Sequence, residues 1–238
     1  MNAERLAEQK ETLGKIVWGL DVDNTIFDSR VPIVDRTNSD FGLDFGPEDV
    51  NGRWWVRDRV FEVLVARGVN KTDALEQATQ YNLWIWQEPD ILRRAPFMPG
   101  AEAFLTKLRR AEAGYFFITS RVPGPNNQLA LATYEQFEER LPWVDRGRLC
   151  VNFDPSLKGE EFKCGSVEKK GVDVHIDDYL EHARLILSRT SAGVYLLCSR
   201  SDADGFDHPR LKKFVGREGQ RGNLKDVHRY LVGKGFKI

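Results

Sequence analysis

The chain has 238 residues, of which 41% are hydrophobic and 30% charged, and its formal net charge is -1. This is an ordinary soluble, globular composition with enough apolar material for a substantial core, and it exerts no global electrostatic pull toward nucleic acid or anionic lipid. No stretch is apolar over the length of a bilayer crossing. The three cysteines, Cys150, Cys164 and Cys198, form no CxxC pair, which predicts reduced thiols in a cytoplasmic protein.

The first fourteen residues read as a polar, helix-like lead without the apolar centre of a signal peptide. KIVWGL, residues 15–20, is a short apolar, β-branched run and predicts a buried strand. Residues 45–95 break into two helical patterns, 50–66 and 72–86, with Thr72 as the expected N-cap of the second and Pro89 just beyond it. The segment has no strand pattern and reads as a helical insert after the first strand. Further strands are expected at GYFFITS (114–120), LCVNF (149–153), VDVHI (172–176) and GVYLLC (193–198). Helical patterns over 101–111, 127–141, 163–170, 179–189 and 224–232 separate or follow them. Strands alternating with helices predict an α/β fold, a mainly parallel five-stranded sheet covered on both faces. The last forty residues carry ten Lys/Arg against five Asp/Glu, scattered as on a solvated surface.

Chemistry concentrates at the predicted strand ends. GLDVDNTIF (19–27) delivers Asp21 and Asp23, two residues apart, and then Thr25. Buried strands avoid unpaired acids because desolvating a charge is costly. Paired acids at a strand's carboxyl end fit a bound cation, and magnesium takes hard oxygen ligands of this type. Asp21 is placed to present an oxygen to phosphorus and Asp23 to exchange a proton with a leaving group. VDVHIDDY ends a second apolar strand in Asp177 and Asp178, which repel unless a cation offsets them. FFITSR ends a third in Thr119 and Ser120, whose hydroxyls and neighbouring amides suit a phosphoryl oxygen. Arg121 follows, either a bidentate phosphate grip or a solvated charge. Lys163, fourteen residues before Asp177, is the favoured cation for this edge, with Lys158 its competitor. The four histidines show no zinc spacing with the cysteines.

These motifs resemble, in order, those of the haloacid dehalogenase superfamily of phosphohydrolases over residues 15–198. GLDVDNT resembles the first motif, DxDxT; FITS the second; a lysine the third; IDD the fourth. MPGAEAFLTKL resembles the stretch that commonly precedes the second. The resemblance implies a Rossmann-like three-layer core, residues 1–30 and 96–238, and a helical cap, residues 31–95. It implies Asp21 as nucleophile, Asp23 as general acid/base, and Lys163 as charge stabiliser. Thr25, Thr119, Ser120 and Arg121 would bind substrate. Asp21, Asp23 (through its carbonyl), Asp177 and Asp178 would hold Mg2+. Family dehalogenases lack an acid at the second position, so Asp23 implies phosphate chemistry. The short spacing into IDD is similar to the deoxyribonucleotidase and cytosolic 5'-nucleotidase branch. That implies a small phosphorylated substrate, a nucleoside monophosphate first. Sugar or other small phosphates, a nucleic-acid end, or a non-catalytic binding protein are the alternatives. Trp54, Trp55, Trp84 and Trp86 of the insert either stack a base or pack the insert's own core.

Overall fold

The computed structural model of the chain describes residues 13–50, 54–121, 127–199, 205–216 and 221–236. The polar lead at 1–12 and the start of the expected 50–66 helix, at 51–53, lie outside these. β1 (Val17–Leu20), β2 (Gly114–Thr119), β3 (Leu149–Val151), β4 (Val174–Asp177), β5 (Gly193–Cys198) and β6 (Leu211–Val215) form one sheet in the order β3-β2-β1-β4-β5-β6. Every pairing is parallel. The expectation of five strands is corrected to six. β6 has the sequence LKKFV and buries only Phe214, because an edge strand needs few apolar residues.

Among the described residues five α-helices lie between β1 and β2, and the first four are α1 (Arg30–Phe41), α2 (Trp55–Ala66), α3 (Lys71–Ile85) and α4 (Pro89–Arg93). The N-cap of α3 is Asn70, whose side-chain oxygen accepts from the Asp73 N–H at 3.0 Å, and not the expected Thr72. These helices share their own apolar cluster, which includes Ile33, Trp55, Val60, Ile85 and Leu92.

The remaining helices cover the sheet. α5 (Ala101–Arg110) precedes β2; α6 (Gln128–Arg140), α7 (Gly159–Lys169), α8 (Leu180–Arg189) and α9 (Leu224–Gly233) follow it. The period of two along each strand sorts side chains between faces. Trp18, Leu20, Tyr115 and Phe117 pack with Phe104 and Leu108 of α5, Phe137 of α6 and Leu231 of α9. Ile118, Val194 and Leu196 pack oppositely, with Val167 of α7 and Ile186 of α8. Three layers result, as the strand–helix alternation predicts. No described helix is long and apolar enough to cross a membrane, and the three cysteines are free.

β1 and β4 are adjacent, and the strand order reverses between them, so the crevice outside their carboxyl ends is the expected ligand position. Gly19 lets them approach: a Cβ there would stand 2.6 Å from Nδ1 of the buried His175. Gly19→Ala is expected to lose about 1–3 kcal/mol, the cost of overpacking a tight core. Urea unfolding checks this, and an unchanged midpoint would refute the tight approach.

Candidate active site

Two strands deliver carboxylates to that crevice. Asp21 follows β1, and its N–H donates to the Ile176 carbonyl at 2.9 Å, extending the ladder by one residue. Asp177 is the last residue of β4. Between them stands Lys163, 1% exposed, with Nζ 2.8 Å from Asp21 Oδ1 and 2.8 Å from Asp177 Oδ2. α7 begins at Gly159, so Lys163 lies in its second turn and not, as expected, at its start. Gly159 brings this helix close, since a Cβ there would meet Ser120 Cβ at 2.7 Å. Lys158, the competitor, is exposed at the N-cap position.

The surrounding groups were not legible as motifs. His175 Nε2 lies 3.0 Å from Asp177 Oδ2. His182 Nδ1 lies 3.0 Å from Lys163 Nζ and 3.3 Å from Asp177 Oδ1. Arg221 Nη1 donates to the Asp178 side chain at 3.0 Å and to its carbonyl at 2.6 Å. The His182 contact is an i+5 relation to Asp177 on a helix that starts after IDDY, a spacing that a sequence search could have tested. Arg221, bridged to Val215 far along the chain, carries no such signal.

Burial dominates the electrostatics. It pushes the Asp21 carboxyl well above the usual range; Lys163 opposes this, while Asp177, Asp178 and Asp23 add to it. Burial also acts upward on Asp177, but Lys163 and the two histidines outweigh it and hold Asp177 well below the usual range. Asp178 is raised by burial and by Asp177, against Arg221. Desolvation alone would lower Lys163, yet Asp177 and Asp21 more than offset it and leave the ammonium firmly protonated.

Asp21, Asp177 and Asp178 each offer a carboxylate oxygen, all within 4.8 Å of one another. Three hard oxygens, crowded enough that burial and mutual repulsion raise two of the acids, fit a small divalent cation such as magnesium. The Asp23 carboxylate is not part of this group. It faces Arg121, whose Nε and Nη2 each donate to it at 2.8 Å, and it accepts from the Ser29 hydroxyl. Burial acts upward on Asp23, but Arg121 and Ser29 outweigh it and lower the carboxyl below its usual range.

The other expected binding residues divide. Ser120 and Arg121 line a cleft of about 310 Å³ together with Asp21, Asp23, Lys163 and Asp178. Thr25 and Thr119 are 0% and 1% exposed and are not among the residues lining it. Thr119 Oγ1 instead accepts from the Arg121 N–H at 3.3 Å. Arg121 is neither a free phosphate grip nor solvated, because an acid ninety-eight residues away claims it. Of the tryptophans, Trp86 lines the cleft, Trp55 packs edge-on to Phe45 in the insert's core, and Trp84 is exposed beneath Arg36. Trp54 stacks with Arg57.

No family model matches the chain, and no curated protein does. Solved structures do. YfnB of Bacillus subtilis, described as a HAD-hydrolase and solved with magnesium, matches at a TM-score of 0.52 and 12% identity, over 91% of this chain and 98% of that one. A haloacid dehalogenase-like hydrolase from Streptococcus pneumoniae matches at 0.52 and 10%, over 90% and 98%. A Bacteroides vulgatus protein named as a beta-phosphoglucomutase matches at 0.50 and 14%, over 97% and 93%. The chain therefore has the fold of these proteins, at identities that speak for architecture alone.

Proposed function

We propose that the protein is a magnesium-dependent phosphomonoester hydrolase working through an aspartyl-phosphate on Asp21. The observation that carries this is the meeting of Asp21, Lys163, Asp177 and Asp178 at the carboxyl edge of two adjacent parallel strands. An Asp21 oxygen attacks phosphorus, and the ester oxygen leaves with a proton that Asp23 first takes up from solvent, since Arg121 favours the ionised form of that carboxyl at rest. Water then attacks the phosphorus of the acyl-phosphate, gives its proton to Asp23, and releases phosphate and the Asp21 carboxylate. Lys163 favours the ionised form of Asp21 against the burial that raises it, and offsets the charge that gathers on the phosphoryl oxygens. Asp21, Asp177 and Asp178 would hold magnesium, which would supply further neutralisation of those oxygens. Residues 31–95 act as the cap over a core of 1–30 and 96–238. The free thiols fit a reducing, cytoplasmic setting.

The cap side of the cleft supports a small ester with a neutral leaving group. Arg30, which lines it, is bound bidentately by Asp28 at 2.7 and 2.8 Å. Asn82 Oδ1 and Trp86 Nε1 are buried without hydrogen-bond partners among the described residues. A buried acceptor and a buried donor without partners, on residues that line the cleft, match a hydroxyl or amide on a ligand that reaches them. The Trp86 ring favours a nucleoside monophosphate; the open polar atoms suit a sugar phosphate equally.

An aryl phosphate should be hydrolysed with magnesium and not after chelation. Magnesium should also raise the unfolding midpoint, by about 2.7 kcal/mol of stability at a hundred times its Kd. Asp178→Asn should shrink both effects. Turnover indifferent to metal would sink the metal assignment; no turnover of any aryl, nucleoside or sugar phosphate would favour a binding protein instead.

A further inference from the structure

We infer that Arg121 is a positioning residue for Asp23, braced through Gln136 by the inserted helices, rather than a grip on the substrate's phosphate. This rests on the phosphatase reading above. The Arg121 side chain is 3% exposed. Its Nε and Nη2 hold the two Asp23 oxygens at 2.8 Å each, and its Nη1 donates to Thr133 Oγ1 at 3.0 Å and Gln136 Oε1 at 3.1 Å. A guanidinium has five N–H donors, and these four contacts leave little of it for a phosphate. The fork-to-fork pair fixes the plane of the Asp23 carboxylate, which a single-point ammonium would not do.

The brace continues outward. The Thr133 hydroxyl donates to the Leu129 carbonyl at 2.8 Å, and Gln136 Nε2 donates to the Leu92 carbonyl at 2.9 Å. Leu92 is in the segment entering the core from the insert, and Leu129 is the α6 residue that completes the insert's apolar cluster. Ser29, immediately before α1, bonds the same Asp23 carboxylate. Both ends of the insert therefore reach the group that moves the proton: one through Ser29, the other through Leu92, Gln136 and Arg121. The seating of the inserted helices sets the aim of Asp23.

The test uses Arg121→Lys and Gln136→Met in the full chain. For each, kcat/KM is measured across aryl phosphates of increasingly basic leaving group, together with inhibition by inorganic phosphate. Proton donation matters most when the leaving group is poor, and general acids contribute about 10²–10⁴-fold. Arg121→Lys should therefore lose roughly 10–100-fold on the most basic leaving group and much less on the most acidic. The phosphate inhibition constant should move by less than about three-fold. Gln136→Met, which lies outside the cleft, should give the same tilt more weakly, and it keeps the test decisive if Arg121→Lys fails to fold. A phosphate grip would instead weaken phosphate inhibition and lower all substrates alike. That result, or a uniform loss with no tilt, overturns the inference while leaving an Asp21-dependent phosphatase standing. Absence of turnover in the unaltered protein overturns both.

Discussion

Asp21→Asn is expected to lower phosphate ester turnover by about 10⁴-fold or more, the scale seen when a nucleophile is removed from a site that otherwise survives. The amide keeps the shape of the carboxylate and loses the charge and the nucleophilic oxygen. Fold stability should hardly suffer, because burial holds the Asp21 carboxyl well above its usual range despite the Lys163 ammonium. Asp177 keeps its own 2.8 Å contact with Lys163 after the change. Thermal unfolding and the circular dichroism spectrum should match those of the unaltered protein, so the loss belongs to chemistry. An Asp21→Asn variant that still turns over at a normal rate would assign the nucleophile elsewhere.

Lys163→Met is expected to cost both activity and stability, the latter by about 3–5 kcal/mol. Methionine fills much of the same volume, so packing is nearly conserved. What remains is Asp21 and Asp177, 4% and 0% exposed, with no ammonium between them. For a domain whose total stability is about 5–15 kcal/mol this is a large fraction. The pH dependence has a definite sign. Asp177, held below the usual range by Lys163 and the histidines, stabilises the fold above that range, and the contribution is lost as pH falls through its lowered value. Without Lys163 that contribution disappears, and protonating the stranded acids relieves their burial. The deficit of Lys163→Met relative to the unaltered protein should therefore be smaller in mildly acidic buffer than at neutral pH. Urea unfolding at the two conditions measures it. A variant as stable as the parent at neutral pH would show that the ammonium does not neutralise these carboxylates.

The legible parts of this molecule are those where one local rule suffices. The runs before Asp21 and Asp177 read as strands because both lie in the sheet interior, β1 apolar throughout and β4 apolar but for the buried His175 and the terminal Asp177. α5 reads as a helix because Ala101, Phe104, Leu105 and Leu108 form one buried stripe. α1 escaped because its apolar residues are few: Pro32, Ile33 and Val34 cluster near its start, and polar residues surround the buried Thr37. Its stability comes from packing against the other inserted helices, which no local pattern records. In the site, the carboxylates and Lys163 were readable from strand ends and spacing. The partner of Arg121 was not, since it depends on Asp23 arriving from another strand end. Arg221 is likewise placed by tertiary packing alone. Thr25 and Thr119 are buried and are not among the cleft-lining residues: a hydroxyl at a strand end or turn sits in the interior as readily as at a surface.

The position of β1 in the sheet bears on how the molecule assembles. The first strand in the chain is a central one, and its neighbours are distant in sequence: Val17 pairs with Gly114, and Trp18 with Val174. Closing loops of that length costs entropy before any contact repays it, so such parallel pairings form late and slowly. Until β4 docks, Asp21 has neither Asp177 nor Lys163 beside it and is a solvated acid like any other. Reactivity and native topology are thus acquired in a single event.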